Sequence, residues 1–387
     1  MRGNCIVIIT SVRVEGFKNL GKIHLKPNEK YNIIIGKNAQ GKTNLLEAMW
    51  ILTGCKSFRG SKEKDFIAHN GRSMRVKLKF RDSVRTQKIE YDLVKSQNGR
   101  SIFLNEVKVK GTGSLFDVFK CIVFTPDDVD IIKGSPEKRR SFIDMAFAQL
   151  YPSALTHINK HNLLLNQRNA VLKNVISLKS MRNELEIWDK QLSAEGAYVS
   201  FMRYDYVKKL SEICAGLYSK ITGGNEALEL VYRSNVFSED TLKEGFNPSA
   251  SEIYYKKLSE NIDYDLKFGY THTGVSRDEI IIRINGFNAK EFGSQGQIKS
   301  AALVIKLAQA EIYSKQSKEA PVVFLDDVMG ELDENRQKLV FDIIKNMQVF
   351  ITTCNESALL PEIKGKIFRI CDGNAAEEDD YVSSSGE

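Results

Sequence analysis

The chain has 387 residues, 42% of them hydrophobic and 27% charged, with a formal net charge of +7. These values suit a soluble globular protein with room for one large domain or two lobes. The first apolar run, Ile6 to Ile9, is far too short for a signal-peptide core or a bilayer span, so a cytoplasmic location without a membrane partner is expected.

The N-terminal third reads as strands. Val12-Arg13-Val14, Tyr31 to Ile35, Arg75 to Arg81, Lys88 to Val94 and Ile122-Val123-Phe124 are short, β-rich and broken by Gly, Asn or Pro. Thr125-Pro126 closes this region. From Ser135-Pro136 to about Gly223 the pattern turns helical, with Ser135 able to cap and Pro136 suited to the first helical position. These helices are expected to be of ordinary length, because no heptad seam is sustained as a long coiled coil requires. Strand-like segments return at Tyr264 to Tyr270 and Glu279 to Ile284. A helix from about Gln297 to Tyr313, a buried strand at Val322 to Leu325, a helix from Glu334 to Met347 and a strand at Val349 to Thr352 complete the pattern. The tail beyond Gly373 is expected to be disordered. Six cysteines (Cys5, Cys55, Cys121, Cys214, Cys354 and Cys371) are scattered singly, which argues for reduced thiols rather than a disulfide framework or a structural zinc.

Directly after Tyr31 to Ile35 comes Gly36-Lys37-Asn38-Ala39-Gln40-Gly41-Lys42-Thr43, a full match to G-x-x-x-x-G-K-[ST] between an apolar strand and an amphipathic helix. Glycines let backbone N–H groups turn inward around phosphate oxygens, and the helix N-terminus adds its positive dipole end. Lys42 is expected to reach the β- and γ-phosphates of ATP, and the Thr43 hydroxyl to ligate Mg²⁺. A chance glycine turn before a helix is the plain alternative, and eight residues in register speak against it.

Val322 to Leu325 ends in Asp326-Asp327. Continuous apolarity fits a parallel strand buried on both faces, whose carboxyl end opens onto a nucleotide. Asp326 is expected to hold Mg²⁺ through water, and Asp327 to act as general base on the attacking water. Paired acids that merely cap a turn are the alternative. ATPases of the ABC superfamily mostly carry Glu at the second position, so the shorter Asp327 suggests slow hydrolysis. Ser294-Gln295-Gly296-Gln297 precedes a helix rich in small apolar residues. Alone it is a weak motif that a simple helix cap would explain. In an ABC-type ATPase the same constellation is the signature, set against the phosphate loop of a second subunit, where Ser294 and the Gly296 amide grip the γ-phosphate.

The order of these pieces resembles the RecF family of bacterial recombination mediators over nearly the whole chain. It runs Glu15-Gly16-Phe17-Lys18-Asn19, Gly36 to Thr43, Ser57-Phe58-Arg59, Phe124 to Asp128, Gly134 to Asp144, Thr273 to Asp278, Ser294 to Gln297 and Phe324 to Asp333. The resemblance implies an α/β fold: a P-loop ABC-type ATPase head, a mixed sheet with flanking helices, and a second, largely helical lobe without a long coiled coil. The ATPase lobe is expected at 1–125 and 320–373, the second lobe at 126–319 ending in strands and the signature helix, and a disordered acidic tail at 374–387. It also implies an ATP-dependent homodimer that binds double-stranded DNA near gaps without sequence preference, and that works with RecO and RecR to load RecA. Asp333 matches the loop that crosses the dimer interface in this superfamily. Two positions depart from pattern: Thr353 stands where transporter-type ATPases have a switch histidine, and Val275-Ser276 where the family tends towards Pro-His.

Between Gly54 and Lys110, fifteen Lys or Arg stand against six Asp or Glu, a surplus of nine that exceeds the +7 of the whole chain. This asymmetry points to an anionic polymer, with a solvated surface as the plain alternative. Arg75, Lys77, Lys79 and Arg81 alternate onto one strand face and suit a phosphate backbone. Pairing with Lys88 to Val94 would instead set Lys79 opposite Glu90 and Lys77 opposite Asp92 as ordinary ion pairs, and the two readings weigh evenly. Lys138, Arg139 and Arg140 form a second candidate patch, and Lys56, Arg59, Lys62 and Lys64 a third. The ATPase subunit of a membrane transporter is the main alternative function, opposed by the long spacing between phosphate loop and signature and by the absent switch histidine. A small-molecule kinase would leave Ser294 to Gln297 unexplained.

Overall fold

The computed structural model describes residues 5–96, 99–173, 178–317, 319–355 and 363–378. The chain forms two compact units, one drawn from 1–128 and 309–387 and the other from 129–308.

The first unit opens with β1 (Cys5–Ile6), β2 (Ile8–Glu15), β3 (Lys22–Leu25), β4 (Tyr31–Ile35), α1 (Lys42–Trp50), β5 (Ser73–Arg81), β6 (Thr86–Val94), β7 (Arg100–Leu104), β8 (Val107–Val109) and β9 (Cys121–Phe124). The second unit contributes α2 (Asp130–Lys133), α3 (Pro136–Leu150), α4 (Pro152–Lys173), α5 (Leu178–Thr222), β10 (Leu228–Arg233), α6 (Glu239–Lys243), α7 (Ser249–Glu260), α8 (Ile262–Phe268), β11 (Glu279–Ile284), β12 (Phe287–Asn288), α9 (Ala289–Phe292) and the start of α10 (Gln295–Gln316). The chain then returns with β13 (Glu319–Ala320), β14 (Val322–Asp326), α11 (Glu334–Ile344), β15 (Val349–Thr353), β16 (Lys366–Cys371) and β17 (Asn374–Glu378).

One sheet of the first unit has the order β17-β16-β4-β15-β14-β9 and is parallel except at β17. Every residue of β4, β14 and β15 is buried, which is why each reads as an unbroken apolar run instead of an alternating one. Parallel pairing brings their carboxyl ends to one edge: Ile35 lies beside Thr353, and Asp326 beside Thr352. The second sheet, β3-β2-β5-β6-β7-β8, is antiparallel throughout. There β5 buries Met74, Val76, Leu78 and Phe80 and turns its cations outward.

Four expectations are corrected. The β5–β6 register sets Lys77 opposite Glu90, Arg75 opposite Asp92 and Lys79 opposite Lys88. The turn is two residues shorter than expected because the Asp82 carboxylate accepts from the N–H groups of Val84 (2.8 Å) and Arg85 (2.7 Å) and closes it tightly. Asn374–Glu378, expected to be disordered, forms β17 along β16, with Glu377 bonded to Lys366 (2.9 Å) and to the Lys26 amide (3.0 Å). The rest of the tail, 379–387, lies outside the described residues.

The helices of the second unit are not all of ordinary length: α5 has 45 residues, about 68 Å at 1.5 Å per residue. Its neighbours change along its length from α4 to α3, α7 and β10, so no single partner imposes a heptad repeat. Finally, Tyr264 to Tyr270 reads as a strand from its alternating aromatics, yet Ile262–Phe268 is α8. Ile262 and Leu266, four residues apart, pack on Leu172 and Leu185, which is a helical spacing.

Candidate functional site

The segment between β4 and α1 turns sharply. Ala39 and Gly41 both take left-handed conformations, with φ of 64° and 112°, and a Cβ at Gly41 would lie 2.5 Å from Leu20 Cδ2, so only glycine fits there. Lys42 is 6% exposed. Its ammonium donates to the carbonyls of Gly36 (2.6 Å) and Lys37 (3.2 Å) and to Cys354 Sγ (3.1 Å). Among the described residues no carboxylate pairs with it. A buried cation balanced only by neutral groups is a site that favours an anion. Lys37, Asn38 and Ala39 are exposed around it; Asn38 Oδ1 accepts from the Cys354 thiol (2.8 Å), and Gln40 accepts from the Asp372 amide.

Thr43 and Asp326, 283 residues apart in sequence, meet: the hydroxyl donates to Asp326 Oδ1 at 2.9 Å. Thr352 donates to the same oxygen at 2.8 Å. Burial raises the Asp326 carboxyl above its ordinary range, Asp327 adds to the rise, and the two threonine hydrogen bonds and the field of Arg59 oppose it. A hard-oxygen pair holding a buried carboxylate that makes no ion pair among the described residues fits Mg²⁺. Asp327 is exposed, with φ of 56°, and its N–H donates to Thr352 Oγ1 (3.0 Å).

Sequence reasoning missed Thr352 and Cys354. The only signal was the position of Ile351-Thr352-Thr353-Cys354 at the end of a strand next in the sheet to both β4 and β14. Thr353 itself is buried and turned to the Asn355 carbonyl (2.8 Å), so the group reaching the phosphate loop is Cys354. The Glu15–Asn19 and Ser57–Arg59 segments also converge on α1. The fully buried Glu47 carboxylate accepts from Lys18 and Ser57, both at 2.5 Å, with Arg59 at 3.8 Å. Asp333 caps α11, accepting from the Arg336 amide (3.0 Å) and side chain (2.8 Å).

In the second unit, Ser294 and Gln297 form a reciprocal cap at the start of α10. Ser294 N donates to Gln297 Oε1 (2.9 Å), and Gln297 N to Ser294 Oγ (3.3 Å). Gln297 also donates to Glu226 (2.7 Å), while Ser294, Gln295 and Gly296 are exposed.

The basic candidates separate. Arg75 makes a two-point contact with Asp92 (2.7 and 2.9 Å), Lys77 pairs with Glu90 (2.9 Å) and Arg81 with Glu29 (3.0 Å). Arg59 donates to Asn44 (2.7 Å). In the second patch the three cations are engaged to different degrees, with Lys138 exposed, Arg140 half-buried and Arg139 buried. Arg139 is 7% exposed and grips Glu279 at 2.8 and 3.0 Å; Arg140 donates to the Asp278 carbonyl (2.8 Å), and Lys138 pairs with Asp130. Asp278 is itself fully buried and bonded to Arg203 (3.4 Å), Tyr232 and the Asn235 amide (2.8 Å), and Arg203 also grips Asp144 at 2.7 and 2.9 Å. The Gly134–Asp144 and Thr273–Asp278 motifs thus form an internal polar lock, in which the Arg139 guanidinium is buried on Glu279 and Arg140 stays half-buried. Lys56, Lys62 and Lys79 are exposed and make no ion pair among the described residues. No helix among the described residues is long and apolar enough to cross a membrane.

A family profile described as RecF/RecN/SMC N terminal domain matches residues 8–371. The DNA replication and repair protein RecF of Clostridioides difficile (strain 630) is 33% identical over 370 residues, 95% of this chain and 97% of the relative. A solved structure of the recombination mediator protein RecF-ATPrS in the RecFOR pathway superposes with a TM-score of 0.88 at 32% identity, over 97% of this chain and 100% of that one. The structure of RecF-ATP in the same pathway gives 0.88 at 31%, over 97% and 99%. These relatives carry replication and repair names, and the transporter alternative finds no support in them. The chain belongs to the RecF family of DNA replication and repair proteins.

Proposed function

We propose that the chain is an ATP-driven recombination mediator, in which ATP and Mg²⁺ bound at Gly36–Thr43 switch a homodimer onto duplex DNA near gaps. The observation that carries this reading is Lys42, a buried ammonium held by two carbonyls and a thiol, with no acid to balance it among the described residues. Its neutral partners are exchangeable for phosphate oxygens. The RecF-ATP relative supports ATP as the anion. Thr43 and Asp326 would hold Mg²⁺, which when bound neutralises phosphate charge. Asp327, exposed at the end of β14, would accept a proton from the attacking water, and its short reach favours slow turnover. Ser294 and the Gly296 amide, at an exposed helix start, suit the γ-phosphate held by a second copy. That the two RecF structures belong to a RecFOR pathway supports RecO and RecR as partners.

The test compares size exclusion and DNA binding, with and without ATP, for the wild type, Lys42→Met and Asp327→Asn. ATP should dimerise the wild type and load it on DNA, Lys42→Met should do neither, and Asp327→Asn should bind DNA and stay on it. Equal dimerisation and DNA binding by Lys42→Met would end the switch reading. Lys56, Lys62 and Lys79 are basic candidates that are exposed and make no ion pair among the described residues. Replacing all three by Gln should lower the slope of log affinity against log salt by about 0.9 per lost contact, and an unchanged slope would move DNA elsewhere.

A further inference from the structure

Asn19 ends the Glu15–Asn19 segment, to which the nucleotide chemistry above assigns nothing. Its Nδ2 donates to the Ala39 carbonyl at 3.0 Å, at the tip of the phosphate loop. Its Oδ1 accepts from Asn44 Nδ2 at 2.7 Å, and Asn44 Oδ1 accepts from Arg59 Nη1 at 2.7 Å. A relay of side chains therefore ties the loop tip to the first turn of α1 and then to Arg59. The contact is close on its other sides too: a Cβ at Gly41 would lie 3.0 Å from Asn19 Oδ1, and one at Gly373 only 2.1 Å from the Asn19 carbonyl.

The tie has a geometric consequence. Ala39 is a non-glycine residue at φ 64°, a conformation disfavoured for L side chains that persists only where its surroundings hold it. In a trans peptide the carbonyl of one residue and the N–H of the next point in opposite directions. Holding the Ala39 carbonyl outward on Asn19 therefore aims the Gln40 N–H inward. That N–H points at the Lys37 carbonyl (3.4 Å), the same oxygen that the Lys42 ammonium contacts. Inward N–H groups are what a phosphate loop offers its ligand.

We propose that Asn19 is a positioning residue for nucleotide binding: its amide locks the left-handed turn at Ala39 so that the Gln40 N–H is ready for a phosphate oxygen. The inference rests on the phosphate-loop reading above and adds to it a residue from a separate turn. Asn19 touches no reacting atom in this scheme, so it should govern affinity more than turnover.

The experiment measures ATP affinity by calorimetry, hydrolysis at saturating ATP, and the thermal midpoint without nucleotide. The variants are Asn19→Ala, Asn19→Asp and Lys42→Met. Asn19→Asp keeps the shape but sets an acceptor against the Ala39 carbonyl, so it should bind ATP on the order of tenfold more weakly, as should Asn19→Ala. Saturated hydrolysis should change far less, and the nucleotide-free midpoint should stay near that of the wild type. Should Asn19→Asp fail to fold, Asn44→Asp serves, because it still accepts from Arg59 but no longer orients the Asn19 amide. Wild-type affinity in the Asn19 variants that fold, or equal losses of affinity and saturated rate, would overturn the proposal. Unchanged ATP binding by Lys42→Met would instead sink the phosphate-loop reading beneath it.

Discussion

His161 lies 3% exposed on α4, where burial pushes its imidazole down to about 4, with Arg203 adding to the drop and Asn162, Asp144 and Glu195 opposing it. Its folded pKa is below its unfolded value of 6.5, so between those two values the unfolded chain binds more protons and stability rises with pH. Stability should therefore be lost as pH falls from about 6.5 to about 4, by a few kcal/mol at most (on the order of 3). His161→Gln should flatten that limb in urea titrations at pH 7, 6 and 5; a limb of unchanged steepness would assign it to other groups. Residues of one type differ in the same way elsewhere. Arg139 and Lys79 are both cations in basic stretches, yet one is spent on Glu279 and the other is exposed. Net local charge identified the stretches and not the free members, because an ion pair is made by a partner distant in sequence.

Along α5 two glycines make the element testable. A Cβ at Gly216 meets nothing within 4 Å, whereas one at Gly196 would lie 2.5 Å from Tyr254 Cζ. Gly216→Ala should therefore stabilise by about 0.5–1 kcal/mol by restricting the unfolded chain. Gly196→Ala should destabilise, because the α5–α7 contact must open to admit the methyl group. Urea midpoints of the two variants check this, and shifts of the same sign would refute it. Elements with period and caps were legible: Ser135 accepts from the Lys138 amide with Pro136 next to it, as its sequence signals. The α8 segment was not, because Tyr264, Phe268 and Tyr270 are 40–51% exposed and mimic the alternation of a half-buried strand. The half-buried face that makes it helical, Ile262 and Leu266, needs Leu172 and Leu185 to be seen.

At the scale of the whole molecule, the last described strand supports the site sheet. β17 covers the edge of β16, which lies directly beside the phosphate-loop strand β4. Deleting 374–387 should expose that edge and lower the thermal midpoint by a few degrees, about 2–4 °C per kcal/mol lost. An unchanged midpoint in that truncation would show that β17 adds nothing. The phosphate loop, the acid pair, the helix cap at Ser294 and the family were determined by the sequence alone, because each is carried by adjacent residues whose spacing is itself the chemistry. Tertiary structure decided the rest. Thr352 bonds Asp326 from the next strand, Cys354 reaches Lys42, Asp372 holds Gln40 and Asn19 holds Ala39. None of these partners is adjacent in the chain: Thr352, Cys354 and Asp372 arrive because parallel strands bring their carboxyl ends to one edge, and Asn19 arrives from the turn between β2 and β3.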